Sequence, residues 1–416
     1  MIQQFESSNA PIQIATDIEL QTQHSRRLNN IIKTWLTAIA FMITIFPTTA
    51  DSLVYQGDEG IGKGKHIVFI ANDHEYRSEQ TCPLMAKILA KHHGFRCTVL
   101  FGVDQNGHIK AGAKEVPGLE ALKDADLLVF FSRFMNLPDG QAQLIGDYFE
   151  RGGPVVGLRT STHCFNGQKG TWNKLNYNYS GKDYLGGLGE QVFGNTWRRN
   201  TGQTHYGSNH QMAGRITPTA GALDHLINSG VRKIHAYSGA YASPLPEGAT
   251  SLLEVQVLNT FHPSEEINQD KPLVTAGWTR DSYVAPSGMK KMARVVYTSF
   301  GASEDLLSED GRRFLTNACF WAGGWEASIK PDLDVSIVGT YNPSAYTSGM
   351  YYEGVKPLDL AGWDSHVMPE TAELSGLSEP KFLNRIQRIL KNRPQLRQQL
   401  AEKYPDRFGR DSTLAP

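Results

Sequence analysis

Residues 66–71, 96–101, 126–132 and 155–158 are almost continuously apolar. Runs that short and unbroken are what strands buried on both faces show, and such strands belong to parallel sheets covered by helices. A different rhythm fills the intervals. After Ser78, a residue suited to opening a helix, Leu84, Ile88 and Leu89 share one helical face, and Gly94 marks the end. Pro138 opens a second helix with Ile145, Tyr148 and Phe149 as its inner side, and Gly152-Gly153 stops it. Strand, helix, strand, strand, helix, strand is the alternation of a doubly wound α/β sheet.

Beyond residue 166 the pattern changes. Residues 167–214 lose regular periodicity and hold Trp172, Asn173, Tyr177, Asn178, Tyr179, Trp197, Arg198, His205, Asn209 and His210. An irregular insertion of that length in a compact domain is usually functional. A helix or turn is expected over 224–231, and strands over 251–258, 272–278 and 293–299. A helix over 304–321, with Leu307, Phe314, Leu315, Ala318 and Trp321 buried, closes the domain. Residues 326–365 are loop-like. In 380–407, Phe382, Ile386, Ile389 and Leu390 repeat at helical spacing among Arg and Lys, which reads as a basic amphipathic helix docked on the surface.

Residues 1–50 stand apart from the fold. Arg26, Arg27 and Lys33 precede an apolar run over 35–46, followed by Pro47 and the small residues Thr48, Thr49 and Ala50. This is the layout of an export signal, and an uncleaved anchor is the alternative. The mature protein is expected to be periplasmic or extracellular. Residues 51–64 read as a linker, 65–325 as the main domain and 326–416 as an extension. The formal net charge of -1, with no clustered basic surface, argues against a nucleic-acid partner. A membrane contact would come only through the N-terminal segment, and an oligomer is left open. Cys82, Cys97, Cys164 and Cys319 contain no C-x-x-C pair, so they offer no cysteine zinc site, and they read as buried free thiols.

The chemistry-bearing residues collect where strands end. After 155–158 come Arg159, Thr160, Ser161, Thr162, His163 and Asn166; after 66–71 come Asp73, His74, Glu75 and Arg77; Arg133 follows 126–132. Open α/β sheets bind ligands just beyond the carboxyl ends of their strands. His163 is placed as an acid/base, with Asp73 and Glu75 as the carboxylates that act with it. Arg159 either binds a ligand or forms an ion pair with Asp73 or Glu75. Ser161 joins the substrate-binding set, with a nucleophile beside His163 and a hydroxyl capping the following helix as its other readings. His74, Arg133, Asn166, Trp172, Tyr177, His205 and His210 complete the candidate substrate-binding set. The five-residue spacing of His205 and His210 is not that of a helical metal pair, so no metal site and no cofactor is assigned.

Asp73-His74-Glu75-Tyr76-Arg77, Leu158-Arg159-Thr160-Ser161-Thr162-His163, Phe300-Gly301-Ala302-Ser303 with Arg312-Arg313, and Asn317-Ala318-Cys319-Phe320-Trp321-Ala322 together resemble ThuA-like domains, named for trehalose utilisation. Residues 335–341 and Gly354-Val355-Lys356-Pro357 are similar to the tail that follows this domain in planctomycete-type relatives. The resemblance spans roughly residues 64–360. It implies the class I glutamine amidotransferase-like superfamily and a flavodoxin-like, mostly parallel sheet. It also implies a sugar or sugar derivative as ligand, trehalose-type or an oxidised (keto) disaccharide. True amidotransferases carry a cysteine at the turn after the strand, as Gly-x-Cys-x-Gly. Here Gly157-Leu158-Arg159-Thr160-Ser161 stands there, and a guanidinium cannot attack a carbonyl. Glutamine hydrolysis is therefore not expected. Three functions remain open: an exported sugar-processing enzyme, a non-catalytic carbohydrate-binding protein, and a metal-dependent hydrolase.

Overall fold

The computed structural model describes residues 52–197, 203–206, 212–259, 266–346 and 351–367, with 373–374, 397–398, 401–402 and 405. The export segment, His210, Arg198, Asn209 and nearly all of the expected basic helix over 380–407 lie outside the described residues.

One sheet organises the rest. Strands β1 (Leu53–Gln56), β2 (His66–Asn72), β3 (Arg96–Phe101), β4 (Leu127–Ser132) and β5 (Val155–Leu158) form one half. Short β6 (Thr204–Tyr206) and β9 (Ala240–Ala242) pair with each other apart from it. Strands β7 (Gly214–Pro218), β8 (Ile234–Ala236), β10 (Thr250–Val257), β11 (Val274–Val284) and β12 (Lys290–Thr298) form the other half. The spatial order is β1-β3-β2-β4-β5-β12-β11-β10-β7-β8. The run β3-β2-β4-β5-β12 is parallel throughout. Renumbered by itself it has the flavodoxin order 2-1-3-4-5. The remaining strands extend both edges antiparallel.

Alternation along the central strands divides their side chains between two cores. Ile67, Phe69 and Ala71 of β2 and Leu127, Val129 and Phe131 of β4 join the core containing helices α1 (Ser78–His93) and α3 (Glu309–Ala322). Val68, Ile70, Leu128 and Phe130 join the opposite core, with Ile145, Tyr148 and Phe149 of α2 (Asp139–Glu150). This two-sided burial explains the unbroken apolar runs. Helix α1 stops at Gly94 in the left-handed region, with its N–H bonded to the Ala90 carbonyl.

Two expectations change. The stretch read as linker contains β1, whose Leu53 and Tyr55 point inward while Val54 and Gln56 face solvent. Four alternating residues among glycines and charges are too few to show a period. The closing helix breaks at Ser308, which caps Gly311 N–H at 3.4 Å. A 3₁₀ turn over Ser303–Leu307 precedes it, and Leu307 is 47% exposed rather than buried. All four cysteines are buried and unpaired.

The loop-like extension does not float. Its backbone carbonyls accept hydrogen bonds from the helices beneath: Lys87 Nζ to Ser365 at 2.5 Å, His93 Nε2 to Asp334 at 2.8 Å, Arg312 Nε to Val335 at 2.8 Å and Arg313 to Leu333 at 2.7 Å. Burial holds the His93 pKa down at about 4. The folded state keeps this imidazole neutral while the unfolded chain protonates near 6.5, so stability falls as pH drops from about 6.5 to about 4. His93→Gln, which keeps an N–H donor, is expected to remove up to about 3 kcal/mol of that acid-induced loss. Urea unfolding at pH 7 and pH 4.5 checks this; equal losses in both proteins would contradict it.

Candidate functional site

Strands β2, β4 and β5 lie side by side and end together, and each is followed by a residue in the left-handed region. These are Arg77 (φ 66°), Phe134 (φ 51°) and Arg159 (φ 41°), the non-glycine residues with positive φ among those described. Each such residue costs on the order of 1–2 kcal/mol, so the surrounding contacts must hold it. Strain gathered at one sheet edge marks the place where the fold is shaped for a purpose other than stability.

The loop after β2 is built around Asp73. Its Oδ1 accepts from the N–H of Glu75 at 2.7 Å and from Tyr76 N–H, and its Oδ2 accepts from the Thr160 hydroxyl at 2.8 Å. Both carboxylate oxygens are thus committed, and the side chain is fully buried. Asp73, expected as a catalytic carboxylate, here ties the β2 loop to the β5 loop. Glu75 is different. Its Oε2 pairs with Arg133 Nη1 at 2.9 Å, and the same nitrogen lies 3.0 Å from His74 Nε2. Arg133 also lies over the Phe134 ring at 4.7 Å.

The β4 and β5 loops are zipped by backbone bonds, Phe134 N–H to His163 O at 3.0 Å and Met135 N–H to Cys164 O at 2.6 Å. This places the His163 ring among aromatics: Trp197 at 5.2 Å, Phe134 at 5.3 Å and Tyr241 at 6.0 Å between centroids. Tyr177 lies 5.1 Å from Phe134, and His205 lies 4.9 Å from Trp197, so both join the rim of this cluster. His163 is only 2% exposed. Burial pulls its pKa well below the usual 6.5, and the positive Arg133 nearby adds to the effect. Burial likewise lowers His74. Both imidazoles are therefore neutral at neutral pH, and Glu75 balances Arg133, so the cluster presents polar groups with little net charge.

Arg159 does not reach this cluster. It is 0% exposed and paired with neither Asp73 nor Glu75. Its Nη1 donates to the Ser299 carbonyl at 2.5 Å and to Ser238 Oγ at 2.8 Å, and its guanidinium carbon lies 3.9 Å from the Tyr76 ring and 4.7 Å from Tyr241. Its role is to support the turn. Ser161 Oγ is buried without a hydrogen-bond partner and faces Gly157, where an added Cβ would stand 2.7 Å away; it caps no helix. Trp172 packs against Gly146 of α2, in the opposite core, and Asn166 is an exposed loop residue. The apolar cavity lined by Phe69, Cys82, Leu158 and Cys319 lies between sheet and helices; burial pushes its thiols up, so it holds no reactive group. Among the described residues no three His, Cys, Asp or Glu side chains gather as a metal set.

Sequence reasoning missed Phe134, although it follows Arg133 at a strand end and the same logic covers it. Gln203, Tyr241 and Tyr297 arrive from distant segments, and no local pattern announces them.

No family model matches this sequence, and no curated protein matches it. Similar solved structures include a protein described as ThuA-like from Bacteroides uniformis, 13% identical with TM-score 0.39, covering 67% of this chain and 100% of its own. A second ThuA-like protein, from Parabacteroides merdae, is 13% identical with TM-score 0.35, covering 68% and 96%. The glutaminase domain of Trypanosoma brucei CTPS is 12% identical with TM-score 0.30, covering 66% and 97%. At such scores the fold assignment rests on this chain's own strand order.

Removing the buried guanidinium strands four acceptors, Ser238 Oγ and the carbonyls of Ser238, Gly239 and Ser299, and two ring faces. Arg159→Met is expected to cost about 3–5 kcal/mol, whereas Arg133→Met, whose side chain is 19% exposed, is expected to cost less, about 1–2 kcal/mol. Chemical denaturation of both variants decides; equal losses would place Arg159 in the same setting as Arg133.

Proposed function

We propose that this chain is a ThuA-like protein that binds an uncharged sugar or sugar derivative at the carboxyl edge of β2, β4 and β5, without amidotransferase chemistry. The observation that carries this reading is the convergence of Phe134, Trp197 and Tyr241 on the neutral His163. Ring faces pack against the C–H faces of a sugar, and the imidazole, His74, Glu75 and Arg133 supply hydrogen bonds to its hydroxyls. The motif resemblance to ThuA-like domains points to the same ligand class. Arg159 at the turn, buried and unreactive, supports the exclusion of a covalent acyl route.

Turnover is the second reading, favoured by the presence of one imidazole, His163, and one carboxylate, Glu75, on loops at the same sheet edge. A neutral base of lowered pKa suits abstraction of an already acidic proton, such as one beside the carbonyl of a keto sugar. Export forms part of the proposal, on the strength of residues 26–50.

Calorimetric titration with trehalose, other disaccharides and their keto forms tests the binding reading. Saturable binding is expected, weakened about tenfold or more by Trp197→Ala and by His163→Ala, and unchanged by Trp172→Ala. No binding by any sugar at millimolar concentration would end the proposal. Product formation from a keto sugar, lost in Glu75→Gln, selects turnover over binding alone. A chain recovered outside the cytoplasm and beginning near Asp51 is the expected result of fractionation with N-terminal sequencing; an intact chain confined to the cytoplasm would refute export.

A further inference from the structure

Behind His163 runs a chain of hydrogen bonds whose direction is fixed at one end. The backbone carbonyl of Arg159 can only accept, so Tyr297, 2.7 Å away, donates to it. Burial pushes the Tyr297 phenol up, so the proton stays there. Its oxygen, having spent its proton, can only accept from the Gln203 amide, which fixes Nε2 toward Tyr297 at 2.8 Å. Gln203 Oε1 then faces Thr162 Oγ1 at 2.5 Å and takes its proton. The Thr162 oxygen lies 3.2 Å from His163 Nδ1 and has only lone pairs left to offer. The Thr162 hydroxyl also lies 3.4 Å from the Arg159 carbonyl, and on either acceptor its proton is spent, so Nδ1 carries the ring proton.

We propose that Thr162, Gln203 and Tyr297 are positioning residues that lock His163 in the Nδ1–H tautomer, so that Nε2 meets the ligand as an acceptor and selects a hydroxyl that donates to it. The ligand half of this statement rests on the sugar reading above; the tautomer half does not. The partner on Nδ1 is a neutral hydroxyl rather than a carboxylate, which distinguishes this histidine from one in a catalytic triad. The charged and titratable groups around the ring are Arg133 and His74 from the β4 and β2 loops, His205 from β6, Tyr241 from β9 and Arg159 beneath. The cations among them oppose a charged imidazolium, and Glu75, on the β2 loop, is paired with Arg133. A relay that ends on a carbonyl has nowhere to send a proton. It orients the ring and does not shuttle.

The test uses the whole ¹⁵N-labelled protein and long-range ¹H–¹⁵N spectra of the imidazoles, with the His163 signals identified by their absence in His163→Gln. The wild type is expected to show a protonated Nδ1 and an unprotonated Nε2, unchanged between pH 5 and 8. Thr162→Val should admit the Nε2–H tautomer, and Thr162→Ser should restore the original. Should Thr162→Val fail to fold, Tyr297→Phe frees the Gln203 amide to turn and should give the same mixture. An Nε2–H signal in the wild type overturns the proposal without reference to any ligand, as does an unchanged tautomer in a folded Thr162→Val. If the tautomer is as expected but no sugar binds, the relay stands and the ligand class falls.

Discussion

A buried positive charge with no carboxylate in direct contact is the constraint that shapes the site's floor. Arg159 is held by the Ser299 carbonyl after β12, by Ser238 between β8 and β9, and by the faces of Tyr76 and Tyr241. Its countercharge arrives at one remove. Ser238 donates its own hydroxyl to Asp305 at 2.5 Å, and Asp305 also takes the N–H groups of Gly301 and Ala302 at 3.0 Å. A guanidinium that has lost its water needs such partners at its Nη atoms, because a bare buried charge costs several kcal/mol; only Nε is left unpartnered. The consequence is geometric. Four separate segments are drawn to one point beneath the sheet edge, and the positive φ at Arg159 is maintained by that convergence rather than by the residue's own preference.

The turn after β5 is a strained junction with a structural use. A sharp, strained junction after a parallel strand normally lifts a nucleophile into the open. Here the junction sends its side chain down into the core, and the next ionisable side chain is His163, itself only 2% exposed, with the 3₁₀ turn Arg159–His163 carrying it there. Phe134, strained in the same way after β4, supplies the wall against which the imidazole rests.

The central strands and helices were readable because their signals are local. Residues 96–101 and 155–158 form strands with the boundaries the apolar runs indicated, and Gly94 ends α1 through its backbone freedom. The edge strand β1 and strands β7 and β8 were not, since their partners lie far away in sequence. The site divides in the same way. Strand-end reasoning put His163, His74, Glu75 and Arg133 in one neighbourhood, but it could not say that Asp73 spends both oxygens on its own loop. Nor could it separate Trp172, which packs against a glycine of α2, from Tyr177, which borders the cluster. Hydrogen-bond saturation and ring packing are properties of the folded neighbourhood, and composition carries no trace of them.

The manner in which residues 331–367 are fastened has an evolutionary corollary. Lys87, His93, Arg312 and Arg313 all grip main-chain carbonyls of this segment, a group that every amino acid possesses. At these four points the recognition code is written in the helices, and the donors are confined to residues that present a rigid or cationic N–H. Elsewhere the strap holds by its own side chains, with Tyr341, Tyr346, Leu360 and Val367 buried in the core. The strap is thus constrained in sequence at those buried side chains and not by the carbonyls through which the helices grip it.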